Sequence, residues 1–340
     1  MIRLNTTIIL SYEVSAPSTF ILNIQPVNNR HQTVLRESLA VDADIDPHTL
    51  TQTDSGDKRL LRFDASAGTV KVDYRATVEL RHRFDTPAEL RELPVAGLPD
   101  AVLPYLLASR YCESDKLMSF AWANFGSLEP GHARVQAIAQ WVREHVTFAA
   151  GASQWTTSAA DTFEQRRGVC RDFAHLMIAV CRALNVPARF VTGIDYGADP
   201  ALGPPDFHAY VEVFLSNRWY LFDPTDISPT TGLLRIGTGR DAADVPFAHI
   251  FGPVRTGKPI VSIEALDDPA AGIEPPQRTA LAVCTAEAAV GAEATGNAEP
   301  AYRAAMPRPP KLSDAIRLPY APRAQSSLIM PHVAPTRAGL

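Results

Sequence analysis

From Val70 to Leu80 apolar and polar residues alternate without a break. Val70, Val72, Tyr74, Ala76, Val78 and Leu80 fall on one side, and Lys71, Asp73, Arg75, Thr77 and Glu79 on the other. A period of two sustained over this length predicts a half-buried β-strand, because successive side chains of a strand point to opposite faces. The same alternation at Ile8, Leu10, Tyr12 and Val14, and at Phe20, Leu22 and Ile24, predicts further strands. Pro26, Asn28, Asn29 and the 54–56 stretch supply the turn residues between them. Residues 1–88 are therefore expected to form an all-β, sandwich-like domain.

A proline-punctuated stretch from Pro87 to Pro104 follows, and the period then changes from two to about 3.6. Residues 89–129 read as a connecting helical segment. Within 133–148 the stripe Val135, Ile138, Ala139, Val142 and Val146, with Trp141 beside it, has the spacing of a core-facing helix. A polar loop holding Trp155 comes next, then a second helix from about Val169 to Leu184 and strand-like runs over 188–195, 207–215 and 218–223. A group of helices followed by a sheet is the pattern of an α+β domain, here placed at 130–264. Beyond residue 265 the texture turns to Ala, Pro and Glu with few large apolar residues, so 265–340 is expected to be a disordered tail.

Composition narrows the classes of function. Of the 340 residues 46% are hydrophobic and 20% charged, enough to bury a sizeable core. The net charge of −5 comes without a Lys/Arg block, which argues against nucleic acid or anionic membrane as a partner. Met1–Leu10 lack the pattern of a cleavable leader and no run of about 18 apolar residues occurs, so the expectation is a cytoplasmic protein. The four cysteines, Cys112, Cys170, Cys181 and Cys284, are widely spaced and form no C-x-x-C pair, which argues against a disulfide framework or zinc ribbon.

Cys170 differs from the other three in its surroundings, since it directly follows Gly168-Val169 where a loop turns into a helix. The first N–H groups of a helix lack intrahelical partners and carry partial positive charge. A thiol there is biased toward its nucleophilic thiolate, and the same donors can hold an acyl oxyanion. The alternative is that Cys170 is a small buried hydrophobe, the commoner fate of a lone cysteine and the one expected for Cys181. Two downstream segments weigh against it: Phe207-His208-Ala209-Tyr210-Val211-Glu212-Val213, and Trp219-Tyr220-Leu221-Phe222-Asp223-Pro224-Thr225. They put a histidine and an aspartate on neighbouring strands, the base and the orienting carboxylate that a thiol nucleophile requires. A hairpin folding tightly at Asn217-Arg218 leaves the two residues four positions out of register, roughly 13 Å. A wider connection through Phe214 to Asn217 sets 208 opposite 223, and this wider connection is expected.

The runs G-V-C-R-D-F-A-H-L, N-V-P-A-R-F-V-T-G, F-H-A-Y-V-E-V and W-Y-L-F-D-P-T resemble the bacterial transglutaminase-like family of the papain-like superfamily, over about residues 130–226. The resemblance implies a papain-like core of helices packed on an antiparallel sheet, with Cys170 as nucleophile, His208 as general base and acid and Asp223 as orienting carboxylate. It implies no cofactor and a peptide or protein substrate. The implied activity is amide-bond hydrolysis through an acyl-enzyme. Transfer of the acyl group to an amine, and a binding or scaffold module without turnover, are the alternatives. The backbone N–H of Cys170 and the indole of Trp155 are the candidate oxyanion donors, with Gln154 a weaker one; an aromatic that packs the loop onto the helix is the plainer reading of Trp155.

Other polar residues are expected to lie outside the triad. His175 falls opposite the apolar face of its helix and reads as a solvated surface histidine, Asp172 as a first-turn partner of the helix dipole, and Glu212 as a surface charge. Cys170, His208 and Asp223 are also zinc-ligand types, but no fourth ligand is spaced for a closed site, so no metal is expected. The irregular 197–206 loop, just before His208, is a candidate wall of the cleft.

Overall fold

The fold is described from a computed structural model, which covers residues 1–287 apart from 43, 44, 46, 52–57 and 199–205. The chain begins with β1 (Ile2–Val14), β2 (Ser18–Leu22), β3 (Gln32–Val41), β4 (His48–Thr51), β5 (Arg59–Ala65) and β6 (Gly68–Leu80), all in antiparallel pairs. The alternating residues of β1 and β6 face inward as their pattern requires. Leu4, Ile8 and Leu10 pack with Val72, Tyr74 and Val78, and across the layer with Phe20, Leu22, Leu61 and Phe63. The Phe20 and Phe63 rings stack 4.8 Å apart. Two sheets closed over one apolar layer make the expected sandwich.

After β7 (Arg83–Asp85) and a run of short 3₁₀ turns come α1 (Ser114–Phe125), α2 (His132–His145), β8 (Thr147–Phe148), α3 (Ala159–Gln165), β9 (Arg167–Gly168) and α4 (Cys170–Ala183). The expected stripe of α2, from Val135 to Val146, is buried throughout. The sheet that α4 packs against contains β10 (Ala188–Asp195), β11 (Phe207–Leu215), β12 (Arg218–Phe222) and β13 (Leu233–Gly239). The remaining strands are β14 (Ala248–Phe251), β15 (Val254–Thr256), β16 (Ile260–Ala265) and β17 (Ala282–Glu287). No helix among the described residues is long and apolar enough to cross a membrane.

Domain organisation departs from the linear division of the sequence in two ways. Strands β14, β15 and β16 return to the N-terminal sandwich, β14 pairing with β2 and the other two with β1. Residues after 265, expected to be tail, supply β17, which pairs with β12 on one side and β7 on the other and completes the order β13-β10-β11-β12-β17-β7. Val283 and Cys284 are buried there, so this short apolar run has a sheet edge to cover. Residues 288–340 of the expected tail lie outside the described residues.

Helix α4 is enclosed on every side, by α1, α2 and α3 and by β10 and β11. Every residue from Asp172 to Ala183 is buried. This overturns the surface placement expected for His175. Its ring lies between Tyr111 and Phe190, with centroids 5.1 and 5.0 Å away, and its Nε2 accepts the Ala242 N–H at 3.1 Å. Burial and the nearby Arg171 and Arg182 hold its pKa well below the ordinary histidine value. The apolar-face reading assumed a helix with one wet side, and α4 has none.

Glu212 likewise is a buried residue rather than a surface charge. Its carboxylate accepts Arg189 Nε at 2.7 Å and meets Arg235 and the Thr285 hydroxyl. Arg189 in turn lies over the Trp219 ring at 4.1 Å. A carboxylate between two guanidiniums is tolerable without water only while both partners stay, because each ion alone would be uncompensated. Glu212→Ala is expected to destabilise the fold by about 3 kcal/mol or more, measured by urea denaturation, because two buried arginines lose their counter-ion.

Candidate active site

The amino end of α4 is fixed by the residues just before and after the cysteine. Val169 is the N-cap, and the Asp172 carboxylate reaches back to accept its N–H at 2.9 Å. The other Asp172 oxygen accepts the Ser153 hydroxyl at 2.9 Å, and Arg171 donates to Ser153 Oγ at 2.9 Å and to the Gln154 carbonyl. Asp172 is thus a first-turn partner of the helix, as expected, and also a clamp that holds the 151–157 loop against the nucleophile's turn. Glycine at 168 is required by this arrangement, since a Cβ there would sit 2.7 Å from Asp172 Cβ and 2.8 Å from its Oδ2. The Asp172 and Phe173 N–H groups both go to Val169 O, and the Cys170 N–H has no protein acceptor among the described residues. It is one of the donors that a helix start leaves unpaired.

Cys170 is partly exposed, whereas Cys112, Cys181 and Cys284 are buried. Burial pushes the Cys112 thiol up to about 12, and the Cys181 thiol higher still. Both are poor nucleophiles at neutral pH.

His208 stands near the start of β11 with its side chain 3% exposed. Its Nε2 lies 3.2 Å from Asp223 Oδ2, at ion-pair distance though outside the alignment of a straight hydrogen bond, and the Cys170 sulfur is near enough to act on its protonation. Asp223 Oδ1 accepts the Thr225 N–H at 2.9 Å and the Thr225 hydroxyl at 2.6 Å, which fixes the carboxylate. His208 and Asp223 are therefore brought together, with Cys170 acting on the same imidazole.

They meet by a route other than the expected wide connection. The β11–β12 turn is two residues, Ser216 and Asn217, with φ of 46° and 63°. Positive φ at both central residues is what a type I′ hairpin requires. The ladder runs from Leu215↔Arg218 to Val211↔Phe222, and the same register carried on sets Asp223 opposite Tyr210, two positions from His208. Both residues project from the same face. Diagonal neighbours two positions apart are within reach of long side chains, so no wide loop is needed.

Electrostatics at the pair has opposing causes. Burial pulls the His208 pKa down, but the Asp223 carboxylate and the Cys170 sulfur push it up by more, leaving it well above the ordinary 6.5. Burial raises the Asp223 pKa, and the His208 cation with the Thr225 hydrogen bonds outweighs this and lowers it. The environment therefore favours imidazolium beside carboxylate. Asp195, at the end of β10, carries a further buried carboxylate, its pKa raised by burial and drawn back by the His208 charge. Nothing in the sequence marks it, because its approach to His208 arises only from the pairing of β10 with β11.

Trp155 lies in the loop that Asp172 and Arg171 hold. It is 76% exposed and its indole makes no hydrogen bond among the described residues, while its carbonyl accepts the Tyr111 hydroxyl at 2.8 Å. Gln154 is exposed as well, its N–H donated to Thr157 Oγ1 at 2.9 Å. Most of the 197–206 loop lies outside the described residues. No group of three or more His, Cys, Asp or Glu arranged for a metal is found among the described residues.

A thiol at a helix start, a histidine near the start of one strand and an aspartate just past the end of its antiparallel neighbour stand in a mixed α and antiparallel-β fold of transglutaminase-like type. Residues 123–224 match the family model of the transglutaminase-like superfamily and residues 2–101 that of the bacterial transglutaminase N-terminal domain. The chain is 36% identical to a protein from Cytophaga hutchinsonii described as a "putative cysteine protease". That structure superposes with a TM-score of 0.77 over 83% of this chain and 97% of the other. An uncharacterized protein of Mycobacterium leprae is 35% identical over 129 residues, and one of Mycobacterium tuberculosis 29% over 144. These matches cover 36% and 39% of this chain and 46% of the length of each relative. The chain belongs to the transglutaminase-like superfamily, and the likenesses support cysteine-based catalysis.

Two measurements check the site. The His208 imidazole, followed by NMR in labelled protein, is expected to titrate above 6.5, and in Asp223→Asn its midpoint should fall as the upward push is removed and burial remains. Asp172→Ala is expected to cost about 2 kcal/mol in thermal or urea unfolding, since the Val169 N–H and Ser153 hydroxyl lose a charged acceptor.

Proposed function

We propose that the chain is a cysteine-dependent amide-bond hydrolase acting on a peptide or peptide-like substrate. The observation that carries the reading is the convergence of the partly exposed Cys170 with the buried His208–Asp223 pair. The likeness to the Cytophaga protein described as a "putative cysteine protease" supports it.

In this reading the thiolate of Cys170 attacks the substrate carbonyl carbon, and the negative charge moves to the oxygen, which the Cys170 N–H receives. Collapse of the tetrahedral adduct breaks the C–N bond, and the imidazolium of His208 gives its proton to the departing amine. A thioester and a neutral imidazole remain. Water then gives a proton to His208 as it attacks the thioester, releasing the carboxylic acid and restoring the thiolate–imidazolium pair. Asp223 keeps the imidazolium stable and oriented and takes no proton itself. A second reading, acyl transfer to an amine, keeps the same thioester and ends it with an amine in place of water.

Alkylation by iodoacetamide at about pH 6 is expected to be selective for Cys170 and to slow at least tenfold or so in His208→Ala. Unchanged rates in that variant would refute the ion pair. Incubating the enzyme with glutamine-bearing peptides and a labelled amine separates the two outcomes: acid without amine adduct rules transfer out.

A further inference from the structure

A groove of about 780 Å³ runs between α2 and the segments that follow β12 and precede β17, with Asp223 in its floor and neither Cys170 nor His208 among its lining residues. It lies alongside the triad's carboxylate rather than at the thiol. Leu221, Phe222 and Val283 give it an apolar base. Its volume is that of a small-ligand or peptide-side-chain site.

Four charged groups line the groove, Arg143 and Arg278 against Asp223 and Asp226, and the Asp223 carboxylate is taken up by His208 and Thr225. Arg143 on α2 and Arg278 both pair with Asp226, at 2.5 and 2.6 Å, so two guanidiniums share one carboxylate. Arg278 also donates to the Asp226 carbonyl at 3.0 Å. Arg143 uses only its Nη1, and among the described residues its Nε and Nη2 have no acceptor. A guanidinium with two free donors in one plane is built for bidentate contact with a carboxylate. Ser228, which also lines the groove, is 1% exposed and its hydroxyl has no partner among the described residues. A buried hydroxyl left unpaired costs stability unless something else completes it.

We propose that this groove binds the carboxylate-bearing part of a peptide substrate, gripped by Arg143 and Ser228 with apolar neighbours resting on Leu221 and Val283. The inference rests on the amide-hydrolase reading and adds a class of substrate to it, peptides with a negative charge away from the cleaved bond. The carboxylate can come from an acidic side chain or from the C-terminus.

The test is binding, kept apart from turnover by using the Cys170→Ala chain and titration calorimetry. Three short peptides serve as probes: a neutral peptide amidated at its C-terminus, the same peptide with one glutamate, and the neutral peptide with a free C-terminal carboxylate. At least one charged peptide is expected to bind about tenfold or more tightly than the neutral one, and which of them does so identifies the source. Arg143→Ala should erase the preference. Gln140→Glu, which adds a negative charge to the same wall and leaves Arg143 in place, should reverse it. Equal binding of all three peptides, no binding by any, or a preference that survives both substitutions overturns the proposal. Failure of the catalytic reading would show instead as Cys170 alkylation indifferent to His208.

Discussion

The position of Cys170 depends on one constraint: α4 has no solvent side, so its amino end cannot tilt or slide without disturbing packing on five elements. Phe173, Leu176, Met177, Ile178 and Val180 are buried in one cluster with α2 and β11 residues. Each such side chain contributes roughly 1.5–3 kcal/mol relative to exposure. What that packing leaves undetermined is the first turn, and there Asp172 takes over. By joining Val169, Ser153 and Arg171 it holds the helix start and the adjoining loop as one unit. The cysteine thus stands on the most rigid part of the domain while remaining at the end where N–H groups are free.

The histidine and its carboxylate are held by a different kind of restraint. His208 belongs to a strand paired on both sides, and Asp223 sits where β12 has just ended and the backbone can turn toward Thr225. Buried ions are costly, and the cost is offset here by mutual pairing. On the same face of β11, Glu212 repeats the arrangement with Arg189 and Arg235. This side of the catalytic sheet is therefore tied by charge, while Ala209, Val211 and Val213 on the other side join the apolar cluster of α4.

Much of this was legible in the chain of residues because periodicity reports which side chains share a face. The β6 alternation, the α2 stripe and the glycine before Cys170 each reported a local fact, and each stands in the fold. Periodicity does not report what lies across from a face. His175 and Glu212 were misplaced for that reason: both occupy positions that would be wet on a two-layer element, and a further layer covers each of them. The hairpin register escaped because Ser216 and Asn217 hold positive φ without a glycine to announce it. Strand β17 escaped because six residues within an Ala- and Pro-rich stretch resemble their neighbours until a sheet edge is there to receive them. Asp195 had no local signal, its role being a product of strand pairing alone.

The placement of β17 between β12 and β7 has a consequence for synthesis. Ala282 pairs with Asp85, so a strand made early must wait for one made near the end of the described chain. Loop closure over such a separation carries an entropic cost before any contact repays it, and folds rich in distant pairings form slowly. On the ribosome the helices and β10–β13 emerge well before the last sheet position can be filled. The six-stranded sheet that carries His208 therefore reaches its full strand order only after residue 287 has been made.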